Sequence, residues 1–262
     1  METKKIVETL EKFAPLSYSS AFVKAVNGYD NSGLIVEGKD RVEKILFSLD
    51  FSERAVERAV SVGADMMITH HPAIYRPIPS ITNATPLGRA LSDAVKQNIA
   101  VYSAHLNLDC APCGIDASLA GIFGKNSKIL IPMEGDAVGY GRLTEIGGSM
   151  LKNLAQRYKK ATGSNRVLCY GNPERIITRV ASFCGGGGGM EELLLADKAG
   201  AELMVSSDFA HHVILEAYQR GIALMQVTHY SAENYGFNQF FNLINHHLGG
   251  LPTEYFVEED LL

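Results

Sequence analysis

Short apolar runs alternate with stretches of helical periodicity along most of the chain, a pattern typical of α/β proteins. The apolar runs predict buried strands at residues 42–49, 66–69, 99–104, 176–183, 201–205 and 222–227. Helical spacing predicts helices at residues 1–13, 151–158, 190–198 and 214–219, and a C-terminal helix that carries Phe237, Phe240, Phe241, Ile244 and Leu248. The alternation favours an α/β fold over an all-α or an all-β fold.

Cap residues mark the ends of two further helices. Ser52 can cap a helix that ends at Gly63, and Thr85 with Pro86 can begin a second one. Helical spacing in this second helix predicts that five apolar side chains face the core. They are Leu87, Ala90, Leu91, Ala94 and Val95.

A glycine-rich stretch interrupts this rhythm from about residue 124 to residue 148. It lacks helical periodicity, and we interpret it as a boundary that is followed by a smaller second lobe. The two halves of the chain share a β-α-β rhythm, although no repeat of fixed period is visible.

Composition narrows the class of protein. The chain has 262 residues, of which 46% are hydrophobic, which is enough for one large core or two modest ones. The formal net charge is -5 and the Lys and Arg residues are scattered, which argues against a nucleic-acid-binding surface. No segment resembles a signal peptide or a membrane span, so we expect a cytoplasmic protein. The few cysteines predict no disulfide framework.

Three of the apolar runs end on a histidine with another imidazole or a carboxylate close behind. The residues concerned, in pairs, are His70 and His71, His105 and Asp109, and His229 and Glu233. Ligands of open α/β sheets gather at the carboxyl ends of the strands, and imidazoles and carboxylates are metal ligands. The recurrence therefore predicts a metal site at this edge of a sheet.

Each pair also has an ordinary structural interpretation. His70 and His71 could be surface residues after a strand, and Asp109 could satisfy backbone N–H groups in a turn. The third pair could begin a solvated helix. The hypothesis of a metal site depends on the coincidence of all three pairs.

Three other groups leave alternatives open. The five glycines at residues 185–189 precede a helix, and could either cradle a phosphate or form a tight strand-to-helix turn. His211 and His212 could contact a substrate or support a ligand, or lie on the surface. Cys110 and Cys113 have redox or zinc spacing, but we favour ordinary thiols because no second cysteine pair follows.

Several motifs resemble those of the NIF-three-like family, whose members are also described as GTP cyclohydrolase I type 2 homologues. Together they cover nearly the whole chain. They are Asp30-Asn31-Ser32-Gly33-Leu34, residues 63–72 followed by Arg76-Pro77-Ile78, residues 103–109, Gly139-Tyr140-Gly141-Arg142-Leu143, and His229 with Glu233.

The resemblance implies a dinuclear site for divalent ions, with His105 beside the metals. Its implied ligands are His70, His71, Asp109, His229 and Glu233. It also implies two α/β lobes with the metal site between them, residues 1–125 with 228–262 and residues 126–227, assembled as a toroidal homohexamer. Leu106 and Ser207 depart from the family pattern without removing a ligand.

The leading hypothesis is a metal-dependent hydrolase that acts on a small, nucleotide-like molecule, as in a GTP cyclohydrolase reaction at C8 of the purine. Mixed nitrogen and oxygen ligands suit Zn, Mn, Fe or Co equally. His105 is the candidate general acid or base, because an unperturbed imidazole titrates near neutral pH. The alternative is a non-catalytic metal-binding ring that regulates or gathers other proteins.

Overall fold

The computed structural model describes residues 1–26, 28–133 and 135–261. In it the chain folds into two compact units. Unit 1 consists of Met1–Leu108 and Phe237–Val257, and unit 2 consists of Asp109–Gly236 and the segment from Glu258 onward. The chain therefore crosses between the units at residues 108–109 and at residues 236–237, and its last segment returns to unit 2.

Helices and strands alternate throughout the described residues. In chain order they are α1 (Thr3–Phe13), α2 (Leu16–Val26), β1 (Gly33–Val36), β2 (Ile45–Ser48), α3 (Glu53–Ser61), β3 (Met66–Thr69), α4 (Pro86–Lys96), β4 (Ala100–Ser103), α5 (Leu106–Asp109), α6 (Ile115–Gly121), β5 (Ser127–Met133), β6 (Gly135–Met150), α7 (Leu151–Thr162), β7 (Val167–Tyr170), β8 (Ile176–Ser182), α8 (Met190–Lys198), β9 (Leu203–Ser206), α9 (His211–Gln219), β10 (Ala223–Val227), α10 (His229–Asn245) and β11 (Thr253–Phe256).

Unit 1 is built on a five-stranded sheet with the order β1-β4-β3-β2-β11. β2, β3 and β4 pair in parallel, β11 pairs in parallel with β2, and β1 is antiparallel to β4. Every residue of β2, β3 and β4 is buried. Parallel strands covered on both faces are expected to be apolar at successive positions, which is why these strands appear in the sequence as continuous apolar runs.

Unit 2 is built on a six-stranded sheet with the order β5-β6-β8-β9-β10-β7. β8, β9 and β10 are parallel, and β5, β6 and β7 join the sheet through antiparallel pairs. Each unit thus has helices and a mixed sheet with a parallel centre. Among the described residues, none of the helices combines the length and the apolar character needed to cross a lipid bilayer.

The predicted caps of α3 and α4 are confirmed. The Ser52 hydroxyl accepts a hydrogen bond from the amide of Ala55 at 3.0 Å, and the Thr85 hydroxyl accepts one from Gly88 at 3.0 Å. Gly63 follows α3 with a positive φ of 66°.

The inward face predicted for α4 is right at Ala90, Leu91 and Ala94, which are buried in the core of unit 1. Leu87 packs against this core and is partly buried. The prediction is wrong for Val95, which is 56% exposed. The buried stripe of α4 is therefore narrower than the apolar positions alone indicate.

The glycine-rich stretch forms a long hairpin, β5 with β6, to which the sequence assigned no element. Two of its glycines permit close packing. A Cβ at Gly139 would overlap Ile131 on the opposite strand, and a Cβ at Gly141, where φ is 67°, would overlap the ring of Phe183. A further strand that the sequence did not predict, β11, follows α10 and extends the sheet of unit 1.

The contrast between Leu91 and Val95 gives a stability test. We expect Leu91→Ala to lower the free energy of unfolding by about 2–5 kcal/mol, because it leaves a cavity in the core. Val95→Ala, the control on the same helix, should change it by less than about 0.5 kcal/mol. Urea denaturation measures both. Equal losses would show that the two side chains are equally buried in solution.

Candidate metal centre

Three histidines of unit 1 come together where β3 and β4 end. His70 and His71 follow β3, and His105 follows β4, its parallel neighbour. The ring centroids are 4.9 Å apart for His70 and His71, 5.2 Å for His70 and His105, and 5.7 Å for His71 and His105. One ligand nitrogen from each ring lies within 4.8 Å of the other two.

The backbone explains how two adjacent residues reach one site. Adjacent side chains of a regular strand point to opposite faces. Here the amides of His70 and His71 both donate to the carbonyl of Leu49, at 3.1 and 2.9 Å, so the strand has already turned. This turn lets both rings face His105.

In each of these three rings, Nδ1 is hydrogen-bonded to a group that can only accept a hydrogen bond. Nδ1 of His70 lies 2.7 Å from the carbonyl oxygen of Ala104. Nδ1 of His71 lies 2.7 Å from Asp50, and Nδ1 of His105 lies 2.7 Å from Asp30. Each Nδ1 therefore donates its proton, and the lone pair of the neutral ring is on Nε2. This is the tautomer of a histidine prepared to bind a metal through Nε2.

Asp30 is the most strongly held of these acceptors. Its side chain is only 2% exposed, and it also accepts hydrogen bonds from the hydroxyls of Ser19 and Ser32. Burial alone would raise its pKa, but the hydrogen bond and charge of His105, together with the two hydroxyls, lower that pKa to about 2. Asp30 is therefore ionised at neutral pH and orients the His105 ring.

Unit 2 holds a second pair of candidate ligands on the first turn of α10. Nε2 of His229 lies 3.0 Å from Oε2 of Glu233, four residues later on the same helical face. Nδ1 of His229 lies 2.7 Å from the carboxylate of Asp208, which repeats the pattern of unit 1. Glu233 is 2% exposed.

Asp109, the fifth predicted ligand, is buried at the end of α5. Burial raises the pKa of the nearby Cys184 thiol, and the negative charges of Asp109 and of Asp116 raise it further. Within the described residues, no disulfide joins any of Cys110, Cys113, Cys169 and Cys184.

The glycine loop packs against the candidate ligands. A Cβ at Gly185, where φ is 54°, would overlap the carboxylate of Glu233, and a Cβ at Gly187 would overlap the Tyr140 hydroxyl. The helix that follows already has an anion at its N-terminus, because the Glu192 carboxylate accepts the amide of Gly189. Close packing therefore accounts for these glycines, and the arrangement does not favour a phosphate cradle.

His211 and His212 lie exposed in the first turn of α9. The sequence did not identify Asp50, Asp208 or the Ala104 carbonyl as partners of the candidate ligands. A usable signal existed for Asp50, since it follows β2 as His70 follows β3. Asp208 similarly comes just after β9.

Comparison with known families gives a match along almost the entire chain. The model of the family described as Duf34/NIF3 (NGG1p interacting factor 3) matches residues 1–259. A GTP cyclohydrolase 1 type 2 homolog from Clostridium perfringens is 29% identical over 238 residues, which cover 89% of this chain and 87% of the relative. A protein NIF3 homolog from Schizosaccharomyces pombe is 30% identical over 247 residues, covering 89% and 86%.

Solved structures show the same fold. A Bacillus cereus protein related to NIF3 superimposes with a TM-score of 0.86 at 17% identity, covering 98% of this chain and 96% of the other. Reduced HcgD from Methanocaldococcus jannaschii superimposes with a TM-score of 0.82 at 27% identity, covering 97% of each chain.

The lowered pKa of Asp30 predicts a pH-dependent contribution to stability. Because the folded-state pKa lies below the ordinary value of 3.8, the contribution is complete above that pH and is lost as the pH falls toward about 2. We expect Asp30→Asn to lower the free energy of unfolding at pH 7 by about 1–2 kcal/mol. Urea denaturation should show this difference shrinking between pH 4 and pH 2. The exposed Asp40→Asn is the control, and a difference that persists unchanged at pH 2 would contradict the assignment.

The close approach at Gly185 gives a second test. Gly185→Ala should lower stability by about 1–2 kcal/mol, because alanine is strained at a positive φ and its Cβ displaces the Glu233 carboxylate. Gly186→Ala, whose Cβ would enter open space, is the matched control and should change stability by less than about 0.5 kcal/mol. Thermal denaturation compares the two variants, and similar losses would argue against a specific contact with Glu233.

Proposed function

The chain belongs to the Duf34/NIF3 family, and from this premise we propose that it binds two divalent metal ions and hydrolyses a nucleotide-like substrate. The observation that carries the proposal is the common tautomer of three of its histidines. His70, His71 and His105 each donate Nδ1–H to an acceptor, which leaves the Nε2 lone pair for a cation or a proton, while both ring nitrogens of His229 lie against carboxylates.

The donor set fits divalent ions. Neutral imidazoles and carboxylates together suit Zn, Mn, Fe or Co, and we propose one of these as the cofactor. The proposed ligands are His70, His71, Asp109, His229 and Glu233. The carboxylate of Asp109 would bridge the two ions, because each of its oxygens can bind one metal.

The two proposed carboxylate ligands are close in sequence to residues of unit 1. Asp109 is one turn after His105 along α5. Glu233 is one turn before Phe237 along α10, and the Phe237 ring packs 5.9 Å from the His70 ring within unit 1. Both carboxylates are thus four residues along the chain from a side chain of unit 1. With the lobe limits proposed from the family, residues 1–125 with 228–262 and residues 126–227, all five proposed ligands belong to the first lobe.

Two divalent ions at this site would supply Lewis-acid activation of a water molecule at neutral pH. His105 would transfer the proton through Nε2, since Nδ1 is occupied by Asp30. Asp30 stays ionised, so it holds the ring in one orientation and stabilises the imidazolium that forms when Nε2 takes up a proton. Asp50 and Asp208 would do the same for the orientation of His71 and His229.

The substrate class follows from the relatives. The Clostridium perfringens protein is named a GTP cyclohydrolase 1 type 2 homolog. In a reaction of that type, water attacks C8 of the purine ring. We propose a purine nucleotide as the substrate class, a toroidal homohexamer as the assembly, and the cytoplasm as the location.

A second candidate function is a metal-binding ring that regulates or gathers other proteins. It is favoured by the description of the family as NGG1p interacting factor 3, which refers to a protein interaction. A substrate screen separates the two candidates. Metal-loaded protein that turns over no nucleotide, phosphoester or amide but binds a protein partner tightly would favour the ring.

The bridging role of Asp109 is testable by substitution. We expect Asp109→Ala to lose at least one bound ion per chain and to lower turnover by about 100-fold or more, since a supporting residue alone is worth about 10–100-fold. Elemental analysis and a nucleotide hydrolysis assay measure the two effects. The exposed Asp93→Ala should change neither. An unaltered metal stoichiometry in Asp109→Ala would refute the bridging role.

A further inference from the structure

An arginine and two tyrosines form a cluster beside His105 in unit 1. The Cζ of Arg76 lies 4.6 Å from the ring centroid of Tyr29 and 5.3 Å from that of Tyr75. The two tyrosine rings meet edge to face at 5.5 Å, and Tyr75 meets His105 in the same manner at 5.9 Å. Cation–π attraction therefore holds the guanidinium over two rings, one of which, Tyr75, contacts the candidate catalytic imidazole.

Hydrogen bonds fix this cluster relative to His105. The Tyr75 hydroxyl donates to the carbonyl of Tyr29 at 3.1 Å, and the Asn31 amide donates to the carbonyl of Ile74 at 2.6 Å. Asp30, between Tyr29 and Asn31, accepts a hydrogen bond from Nδ1 of His105. One short segment thus positions both the imidazole and the arginine.

The charge of Arg76 is uncompensated. Within the part of the chain that the structure describes, Arg76 forms no ion pair with a carboxylate, in contrast to Arg89 of the same unit, which pairs with Glu53. The donors of a guanidinium lie in its plane, so contact with an aromatic face leaves them directed outward. Arg76 and Tyr75 are both exposed, so a ligand can reach them.

We propose that Arg76 binds the phosphate of a nucleotide and that Tyr75 contacts its planar base, next to His105. A planar fork of N–H donors matches the oxygens of a phosphate, and an aromatic ring matches a purine. The inference rests on the proposed function, because it assigns the substrate-recognition residues of the same site. It makes Arg76 a specificity-determining residue, and it accounts for a positive charge in a site otherwise rich in carboxylates.

The test compares binding of GTP, guanosine and inorganic tripolyphosphate by calorimetry, using the full protein as purified with its metal content measured. We expect Arg76→Ala to weaken GTP binding about tenfold or more, through loss of a charge-assisted hydrogen bond, and to leave guanosine binding and metal content unchanged. Arg76→Lys should recover part of the loss. The control Arg41→Ala removes another exposed arginine of unit 1 and should have no effect.

The contact with the base is tested at Tyr75. Tyr75→Phe keeps the ring and should bind guanosine almost as the unmodified protein does, whereas Tyr75→Leu should weaken guanosine and GTP alike. Tripolyphosphate should bind more weakly than GTP and should also depend on Arg76.

Several results would overturn the inference. They are unchanged GTP binding in Arg76→Ala, equal losses in Arg41→Ala and Arg76→Ala, or tripolyphosphate binding as tightly as GTP. Because binding is measured without turnover, the result is independent of hydrolysis. Arg76-dependent binding without turnover would reject the hydrolase but keep this inference. Turnover with a KM that Arg76→Ala leaves unchanged would keep the hydrolase and reject this inference.

Discussion

The hydrogen bond at Nδ1 is the interaction on which the candidate site depends. A neutral imidazole carries one proton, so an acceptor that holds Nδ1–H determines that Nε2 carries the lone pair. In unit 1 the acceptors are a carbonyl at His70 and carboxylates at His71 and His105. Because each acceptor lacks a proton to donate, the opposite tautomer would place two lone pairs against each other. The histidines are thus prepared for a cation or a transferred proton.

The parallel strands of unit 1 supply two of these acceptors, Asp50 and the Ala104 carbonyl. In unit 1, β2, β3 and β4 lie side by side in parallel, so whatever follows each strand emerges at the same edge. Asp50 follows β2, the histidine pair follows β3, and Ala104 with His105 follows β4. The imidazoles and their acceptors therefore meet without any long loop, on strands whose own positions are fixed by complete burial.

The sequence predicted what depends on local pattern and left out what depends on packing across the fold. The central strands and the caps at Ser52 and Thr85 were predictable because burial on both faces and capping both act within a few residues. The β5–β6 hairpin was not predictable from local pattern. The need for glycine at two of its positions arises only from contact with Ile131 and Phe183, which lie on or beside neighbouring strands. The five predicted ligands came from motif recurrence and family resemblance. Predicting the hydrogen bond between Asp50 and His71 would have required the strand order, which no local pattern specifies.

The segment around Asp30 positions both the proton-transfer group and the anion-binding group, so a substitution there is expected to affect both. Asp30 orients His105, the Ser32 hydroxyl accepts the backbone amide of His105 at 3.3 Å, and Tyr29 supports Arg76. A change in this segment therefore moves the imidazole and the arginine together. Because Asp30 is ionised and almost fully buried, its hydrogen bonds cannot be exchanged for water without a large desolvation cost. Because of this cost the segment is rigid. It therefore holds His105, the proton-transfer group, and Arg76, the anion-recognition group, in fixed positions relative to each other.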